Sequence, residues 1–164
     1  MAGCLNVDWL SETAQQSVEL CRSEAILMFM SHNETLHLAQ ELLHGMGSGA
    51  EAAEIAKLFS ENMEWKIAGD TAALPWIGQR SGRAAIMDFI TDSRALIERI
   101  RFEVHNIIAD ADQAVILGSL ASKLKRTGKS VETDFAIILT VAKGEIVRFQ
   151  VFEDSFAVSQ AARG

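Results

Sequence analysis

The last third of the chain consists of apolar residues that alternate with polar ones and are interrupted by turn residues. Three runs, 114–125, 131–141 and 145–154, have the length and the two-residue period of β-strands. Thr127-Gly128-Lys129 and Lys143-Gly144 separate these runs, and connections this short join antiparallel neighbours. The alternation therefore predicts an antiparallel meander in the C-terminal part of the chain.

A fourth strand is predicted before this meander, in residues 100–108, where apolar residues alternate with Arg101, Glu103 and His105. The turn residues 110–112 connect it to the next strand. A strongly curved sheet of this size, with helices packed on its concave side, leaves an apolar cavity where the two layers diverge. We therefore expect an apolar pocket between the helices and the sheet.

Helical periodicity dominates the chain before residue 97. Four helices are predicted from their apolar stripes, caps and glycine stops, in residues 11–28, 36–46, 50–59 and from Ser81 or Gly82 to 97. Between the last two, Met63 to Ala68 is predicted to be extended and residues 69–80 to form a loop around Pro75. Because helices come first and strands last, the predicted fold class is α+β, with N-terminal helices on a strongly curved antiparallel sheet.

The first predicted helix has a single apolar stripe. Its members recur at alternating spacings of four and three residues and are Ala14, Val18, Cys21, Ala25 and Met28. Such a stripe needs a surface to pack against. We therefore predict a helical extension in residues 1–33 that docks against the domain of residues 34–164 or against a second subunit.

Length, charge and composition exclude several classes of protein. A chain of 164 residues can bury a core without metal or disulfide support, and a net charge of -7 with scattered basic residues argues against nucleic-acid binding. The first residues do not resemble a secretory signal and no apolar run could span a bilayer, so we expect a cytoplasmic protein with no membrane partner. The two cysteines, Cys4 and Cys21, are expected to be reduced.

No metal or cofactor is predicted. His37 and His44 are two helical turns apart, which is too far for a shared ion. Neither a glycine-rich phosphate loop nor a Gly-x-Ser-x-Gly elbow occurs in the sequence.

Three segments together resemble a known family. They are LFSENMEWKIAGD, PWIGQRSGRAAIMDFI and VETDFAIILTVAKGEIVRFQVFED. In order and spacing they are similar to the SnoaL-like group of the cone-fold superfamily that includes nuclear transport factor two, ketosteroid isomerase and limonene epoxide hydrolase. The resemblance covers Leu36 to the C-terminus and leaves Met1 to His32 outside. It implies a cone-shaped sheet and a pocket for a small cyclic metabolite.

The resemblance does not extend to the family's best-known catalytic side chains. Position by position, it places their acidic and polar groups on residues that cannot do that chemistry, namely Ile67, Gly118, Leu120 and Val151. Both mechanisms also use a pocket tyrosine, which this sequence lacks. Trp65, at the nearest position, offers only an indole N–H. The classical isomerase and epoxide hydrolase mechanisms are therefore not expected.

The register of the final hairpin decides which carboxylates face the pocket. A three-residue turn pairs Val141 with Glu145 and puts Glu153 on one face with Phe135, Ile137, Phe149 and Val151. A two-residue turn shifts the pairing by one residue and places Asp134 beside Glu153. We favour the three-residue turn because it gives an uninterrupted apolar face.

Three carboxylates are candidate catalytic groups. Glu153 lies at a pocket mouth in the favoured register, where partial burial raises the pKa of a carboxyl towards that of a general base. Asp70 follows the strand around Ile67 and reaches the cavity entrance or caps its own turn. Asp134 pairs with Arg148, either as part of a site or as a cross-strand ion pair in a subunit interface.

The predicted ligand-binding residues are aromatic or aliphatic. Trp65 and Trp76 are candidates for stacking against a ring. The complete set of pocket residues is Trp65, Ile67, Trp76, Phe135, Ile137, Phe149 and Val151.

Two functions fit these residues. The first is an enzyme that moves a proton on a small, largely apolar and cyclic metabolite, in a reaction of the isomerase, cyclase or dehydratase type. The second is a ligand-binding or dimeric assembly module that has lost the family's catalytic residues. In both, the outer face of the sheet is predicted to form a homodimer interface.

Overall fold

The computed structural model of the protein describes residues 12–163. Helices precede the long strands, which confirms the α+β class. The elements, in chain order, are α1 (Glu12–Ser48), α2 (Ala52–Ala56), β1 (Phe59–Ile67), β2 (Gly78–Ser81), α3 (Arg83–Leu96), β3 (Ile97–Asp110), β4 (Gln113–Leu124), β5 (Ser130–Ala142), β6 (Glu145–Glu153) and α4 (Ser155–Arg163).

The six described strands form one open sheet in the order β2-β1-β6-β5-β4-β3. Strands β3 to β6 are antiparallel neighbours, so the predicted meander is confirmed. Strand β1 adds to the last strand of the meander in parallel, with Trp65 opposite Phe149 and Ile67 opposite Val151. The sheet is therefore mostly antiparallel, and its two edges are β2 and β3.

The helices differ from the prediction in number and extent. The two N-terminal helices are one continuous helix, α1, because no glycine or proline interrupts residues 29–35, where the apolar stripe fades. The predicted boundary at residue 33 therefore falls inside a helix. Strand β2 and helix α4 were not predicted. Helix α4 begins where Asp154 Oδ1 accepts a hydrogen bond from the backbone N–H of Ala157 at 2.9 Å, as in an N-cap.

Helix α1 meets the domain only through its second half. The described side chains between Gln16 and Met28 are exposed, whereas Thr35, Leu38, Ala39 and Leu42 are buried. Thr35 Oγ1 donates a hydrogen bond to the carbonyl oxygen of Ala111, in the turn between β3 and β4, at 2.7 Å. Of the predicted apolar stripe, Cys21, Ala25 and Met28 are exposed and do not dock on the domain, while the side chains of Ala14 and Val18 lie outside the described part of the structure. Docking on a second subunit stays a prediction.

The final hairpin closes with a two-residue turn, so the predicted three-residue turn is wrong. Lys143 and Gly144 have φ angles of 55° and 75°, the left-handed pair of a type I′ turn. An extra residue in β6 then shifts the register between Thr140 and Val141, and beyond it Phe135 is opposite Glu153. The bulge moves the pairing by one further residue, so the side chains alternate between the two faces of the sheet as the three-residue turn predicted. The predicted shared face is therefore confirmed, with Phe135, Ile137, Phe149, Val151 and Glu153 on it. Asp134 is not beside Glu153.

Bulges in β3 bend the sheet over the cavity. The pairing of β3 with β4 shifts at Ile100 and again at His105, and each extra residue increases the local twist and bend. Next to the second bulge, Gly118 leaves room for the ring of Phe135, because a Cβ at residue 118 would come within 2.5 Å of Phe135 Cζ. Phe102 stacks on Phe135 with ring centroids 4.8 Å apart. The missing side chain thus allows two aromatic rings to line the bend.

Candidate functional site

A cavity of about 450 Å³ lies between the concave face of the sheet, helix α3 and the C-terminal end of α1. This is the size range of pockets that take small organic ligands. Most of its wall is apolar. Its apolar members include Met46, Leu74, Phe89, Ile90, Ile97, Phe102, Leu120, Leu124, Val131 and Val158.

Seven of the ten residues predicted for the site line this cavity. They are Ile67, Trp76, Phe135, Ile137, Phe149, Val151 and Glu153. The other three, Trp65, Asp70 and Asp134, do not line it. At three positions where the resemblance places polar catalytic groups, this protein has apolar side chains in the cavity wall. They are Ile67, Leu120 and Val151.

Glu153 contributes a carboxyl group to the cavity wall. The alternation of β6 places it on the same face as Phe149 and Val151, and it is half-buried. Burial raises the pKa of this carboxyl above its ordinary value of 4.5, and the negative charge of Asp154 raises the pKa further. None of the described residues donates a hydrogen bond to the Glu153 side chain or forms an ion pair with it. Its oxygens are therefore available to a ligand.

Asp70 serves the turn after β1 and the docking of α4. Its carboxylate accepts hydrogen bonds from Ser159 Oγ at 2.8 Å and from the backbone N–H of Ala72 at 3.1 Å, and it forms an ion pair with Arg163. The hydrogen bond from Ser159, followed by those from Ala72 and Arg163, lowers the pKa of Asp70 below 3.8. These bonds occupy the carboxylate outside the cavity.

Asp134 and Arg148 do not form the predicted cross-strand pair. Asp134 is exposed and lies opposite Ser119, whereas Arg148 lies opposite Thr140 on β5. Arg148 instead forms an ion pair with Glu64 on β1, at 3.4 Å between Nε and Oε2. The parallel addition of β1, which the sequence pattern did not reveal, supplies this partner.

Trp65 is buried beside the cavity wall and its polar atom is already engaged. Its indole N–H donates a hydrogen bond to the carbonyl oxygen of Trp76 at 2.9 Å. Its ring stacks on Phe149 and also contacts Phe89, with centroids 5.1 Å apart. Trp65 therefore supports the wall, while Trp76 forms part of it.

Five polar residues of the cavity were missed from the sequence. They are Ser93, Arg94, Arg99, Arg101 and Ser122. Arg99 faces Ser122 across β3 and β4, but the bulge at Ile100 separates it from the alternation of the rest of β3. The spacings of three and four residues from Ile90 through Ser93 to Ile97 were the available signal for the α3 side of the wall.

Two of these residues connect the cavity rim to the C-terminal end of helix α1 and to the turn that follows it. Arg94 donates a hydrogen bond from Nη2 to the carbonyl oxygen of Ala50 at 2.7 Å, and Arg99 donates one from Nη1 to that of Met46 at 3.4 Å. Both side chains are exposed. The rim on this side is therefore cationic, while the interior is apolar.

Within residues 12–163, no group of three or more His, Cys, Asp or Glu side chains is arranged to hold a metal ion. No helix in the same range has the length and hydrophobicity that crossing a bilayer requires.

The chain belongs to the SnoaL-like domain family, whose sequence profile matches residues 39–149, more than half of the chain. This places it in the superfamily to which the sequence resemblance pointed. No curated protein sequence matches the chain.

Solved structures share the fold at low sequence identity. An NTF2-like protein of Burkholderia xenovorans LB400 is 21% identical, with 80% of this chain and 98% of that chain covered and a TM-score of 0.72. TerC, co-crystallized with polyporic acid, is 17% identical over 80% of this chain and 99% of its own, with a TM-score of 0.68. A candidate SnoaL-like polyketide cyclase of Mesorhizobium loti is 17% identical over 71% and 97%, with a TM-score of 0.60. At these identities the likeness establishes the fold alone.

Proposed function

We propose that the protein binds a small, largely apolar, cyclic metabolite in the cavity and catalyses a proton transfer on it. The observation that carries this proposal is the position of Glu153, an unpartnered carboxyl group in a mostly apolar wall. Burial raises the pKa of Glu153, and a carboxylate whose conjugate acid has a higher pKa is a stronger base. Glu153 is therefore the proposed general base.

The proposed reaction needs no cofactor. A carboxylate oxygen of Glu153 takes a proton from a carbon next to an electron-withdrawing group of the metabolite. Glu153 then returns this proton to a different atom of the same molecule, which completes an isomerisation, or to a leaving oxygen, which completes a dehydration. The apolar wall keeps bulk water away from the base between the two steps.

The relatives support a cyclic ligand. One carries the name of a polyketide cyclase, another that of an isomerase from Rhodopseudomonas palustris, and TerC was crystallised with polyporic acid. Ring-bearing ligands also suit the aromatic side chains of this cavity, among them Trp76, Phe89, Phe102, Phe135 and Phe149.

A nitrobenzisoxazole is a suitable probe for the base, because loss of the proton on C3 of its isoxazole ring forms a nitrile, breaks the N–O bond and gives a coloured nitro-substituted cyanophenolate. We expect the protein to accelerate this elimination and Glu153→Gln to lower the rate at least about tenfold. Asp134→Asn is the matched control, since Asp134 is exposed and lies outside the cavity. An equal rate for Glu153→Gln and the intact protein would remove Glu153 as base.

A second candidate function is ligand binding without catalysis. It is favoured by the engagement of the Trp65 N–H with Trp76, which leaves no donor at the position nearest to the family's pocket tyrosine. Mass spectrometry of small molecules retained through purification separates the two candidates. Recovery of one unchanged metabolite from both the intact protein and Glu153→Gln, with no elimination of the probe by either, identifies a binding module.

We also propose that a second copy of the chain covers the outer face of the sheet. Ile108 and Phe152 on this face are 51% and 46% exposed, and Ile138 and Ala136 lie beside them on β5 and are only partly buried. An isologous contact between two such faces buries these side chains in one step.

Phe152→Arg is expected to convert the dimer to monomer in light-scattering measurements of mass. Phe156→Arg is the control, because Phe156 is 72% exposed on α4, and loss of the dimer in both variants or in neither contradicts the assignment.

A further inference from the structure

The cavity rim contains two arginines whose charges have no acidic partner within residues 12–163. Arg94 lies in the last turn of helix α3 and Arg99 lies near the start of β3. Each is seen to donate one hydrogen bond, and both bonds go to backbone carbonyl oxygens, of Ala50 and Met46. A guanidinium has five N–H donors in a planar fork. Most of the donor capacity of both residues therefore remains available at the rim.

Most other described arginines are paired with carboxylates. Arg80 pairs with Asp88, Arg83 with Glu145, Arg101 with Glu132, Arg148 with Glu64 and Arg163 with Asp70. The protein has a net charge of -7, so acidic groups are abundant. Arg94 and Arg99 differ from these five in lining the cavity without a carboxylate partner among the described residues.

A third cation and an aromatic ring strengthen the positive rim. Lys125 Nζ donates a hydrogen bond to the carbonyl oxygen of Arg94 at 2.7 Å. The guanidinium carbon of Arg99 lies 5.4 Å from the centroid of the Phe102 ring, which is part of the cavity wall. This contact orients the fork of Arg99 beside the opening. The rim therefore offers positive charge with fixed donors directly above apolar surface.

We propose that Arg94 and Arg99 bind the anionic group of a ligand whose apolar body occupies the cavity. The ligand class is an apolar, ring-bearing acid, since planar guanidinium forks match carboxylate and sulfonate oxygens. The anionic group stays at the rim and the reacting carbon faces the Glu153 carboxyl in the cavity wall. This inference rests on the proposed function, because it assigns a ligand class to the same cavity.

Two fluorescent dyes with the same ring system test the inference. Anilinonaphthalene sulfonate carries a negative charge, and N-phenylnaphthylamine is its neutral counterpart. We expect the sulfonate dye to bind about tenfold more tightly than the neutral dye and the two dyes to compete for one site. Because the rim is solvent-exposed, this preference should decrease as salt is added.

Variants separate the charge from the fold. The double substitution Arg94→Gln and Arg99→Gln should abolish the preference for the sulfonate dye and leave the affinity for the neutral dye unchanged. Arg94→Lys with Arg99→Lys should keep most of the preference, since the cations remain, even if the bonds to α1 are weakened. Arg80→Gln is the matched control for the loss of an arginine, because Arg80 pairs with Asp88 and does not line the cavity.

The outcomes distinguish this inference from the proposed function. Equal affinities for the two dyes, unchanged in the Gln double variant, overturn the role of the arginines and leave an apolar binding cavity. Failure of both dyes to bind to the intact protein overturns the proposed ligand binding and this inference together. Loss of both affinities in the Gln double variant, with an unchanged unfolding temperature, also overturns the inference, because the arginines would then support the cavity itself and not the anion.

Discussion

The indole ring of Trp65 lies face to face with the phenyl ring of Phe149, with centroids 4.7 Å apart and 11° between the ring planes. The two residues are partners across the parallel pair of β1 and β6. Phe149 lines the cavity, whereas Trp65 does not, and the Trp65 N–H bonds to the Trp76 carbonyl oxygen. This stack therefore links the first long strand of the sheet, the last strand and the loop that holds Trp76.

The first prediction concerns that link. Trp65→Phe should lower the free energy of unfolding by at least about 2 kcal/mol, because it leaves the buried Trp76 carbonyl oxygen without its donor and removes ring volume from the core. Chemical denaturation followed by far-ultraviolet circular dichroism measures the loss. Trp76→Phe keeps the backbone acceptor paired with Trp65 and is expected to cost less. A smaller loss for Trp65→Phe than for Trp76→Phe contradicts this account.

The second prediction concerns the bend of the sheet. Gly118→Ala should destabilise the protein by about 1–3 kcal/mol, since the new Cβ would lie 2.2 Å from the Glu103 carbonyl oxygen and 2.5 Å from the Phe135 ring. Gly47→Ala is the control, because nothing lies within 4 Å of a Cβ there and alanine is favoured over glycine in a helix. Thermal unfolding should show a lower midpoint for the first variant only. A midpoint for Gly118→Ala at or above that of the intact protein would falsify the proposed contact.

The third prediction follows from the raised pKa of Glu153. Folding raises this pKa above 4.5, so the group favours the folded state at acidic pH and this contribution is lost as the pH rises through the folded-state pKa. Glu153→Gln, which cannot ionise, should therefore increase stability at neutral pH relative to the intact protein. The difference should shrink as the pH falls towards 4.5. Denaturant titrations of both proteins at several pH values test this, and a Gln variant that is less stable at neutral pH contradicts it.

The fourth prediction has the opposite sign and concerns Asp70. Its pKa is lowered below 3.8 by its hydrogen bond from Ser159, together with those from Ala72 and Arg163, so its contribution to stability is present above pH 3.8 and is lost as the pH falls through the folded-state pKa. Asp70→Asn should destabilise the protein at neutral pH and have less effect near pH 3. Ser159→Ala should show part of the same pH dependence. An equal effect of Asp70→Asn at both pH values excludes the ionic contribution.

Local periodicity was sufficient to predict the meander but not its neighbours. Strands β3 to β6 have a clear two-residue alternation and short turns, and these were found with small errors at their ends. The parallel pairing of β1 with β6 joins residues far apart in the sequence, and no local pattern reports such a pair. Helix α4 has its cap at Asp154 and its buried face of Val158, Ala161 and Ala162, a helical signal that was present and not used.

The candidate site was predictable where side chains alternate regularly between the two faces of the sheet, and not where a bulge interrupts that alternation. The prediction that Glu153 faces the cavity is correct although the predicted turn is wrong. The two-residue turn and the bulge between Ile146 and Arg148 each shift the pairing by one residue, so together they leave Glu153 on the predicted face. Arg99 was missed because the bulge at Ile100 places it out of phase with Phe102. Asp70 could not be distinguished from a catalytic acid, since its partners Ser159 and Arg163 lie in the helix that was not predicted.

The parallel pair of β1 and β6 also determines when the protein can complete its fold during synthesis. Met63, Trp65 and Ile67 on β1 are translated early, yet their strand's long neighbour is the last one made. Until β6 emerges from the ribosome, this apolar segment has only the four residues of β2 as a strand partner. We therefore expect β1 to stay without its long strand partner, and open to pairing with other chains, until β6 has been synthesised.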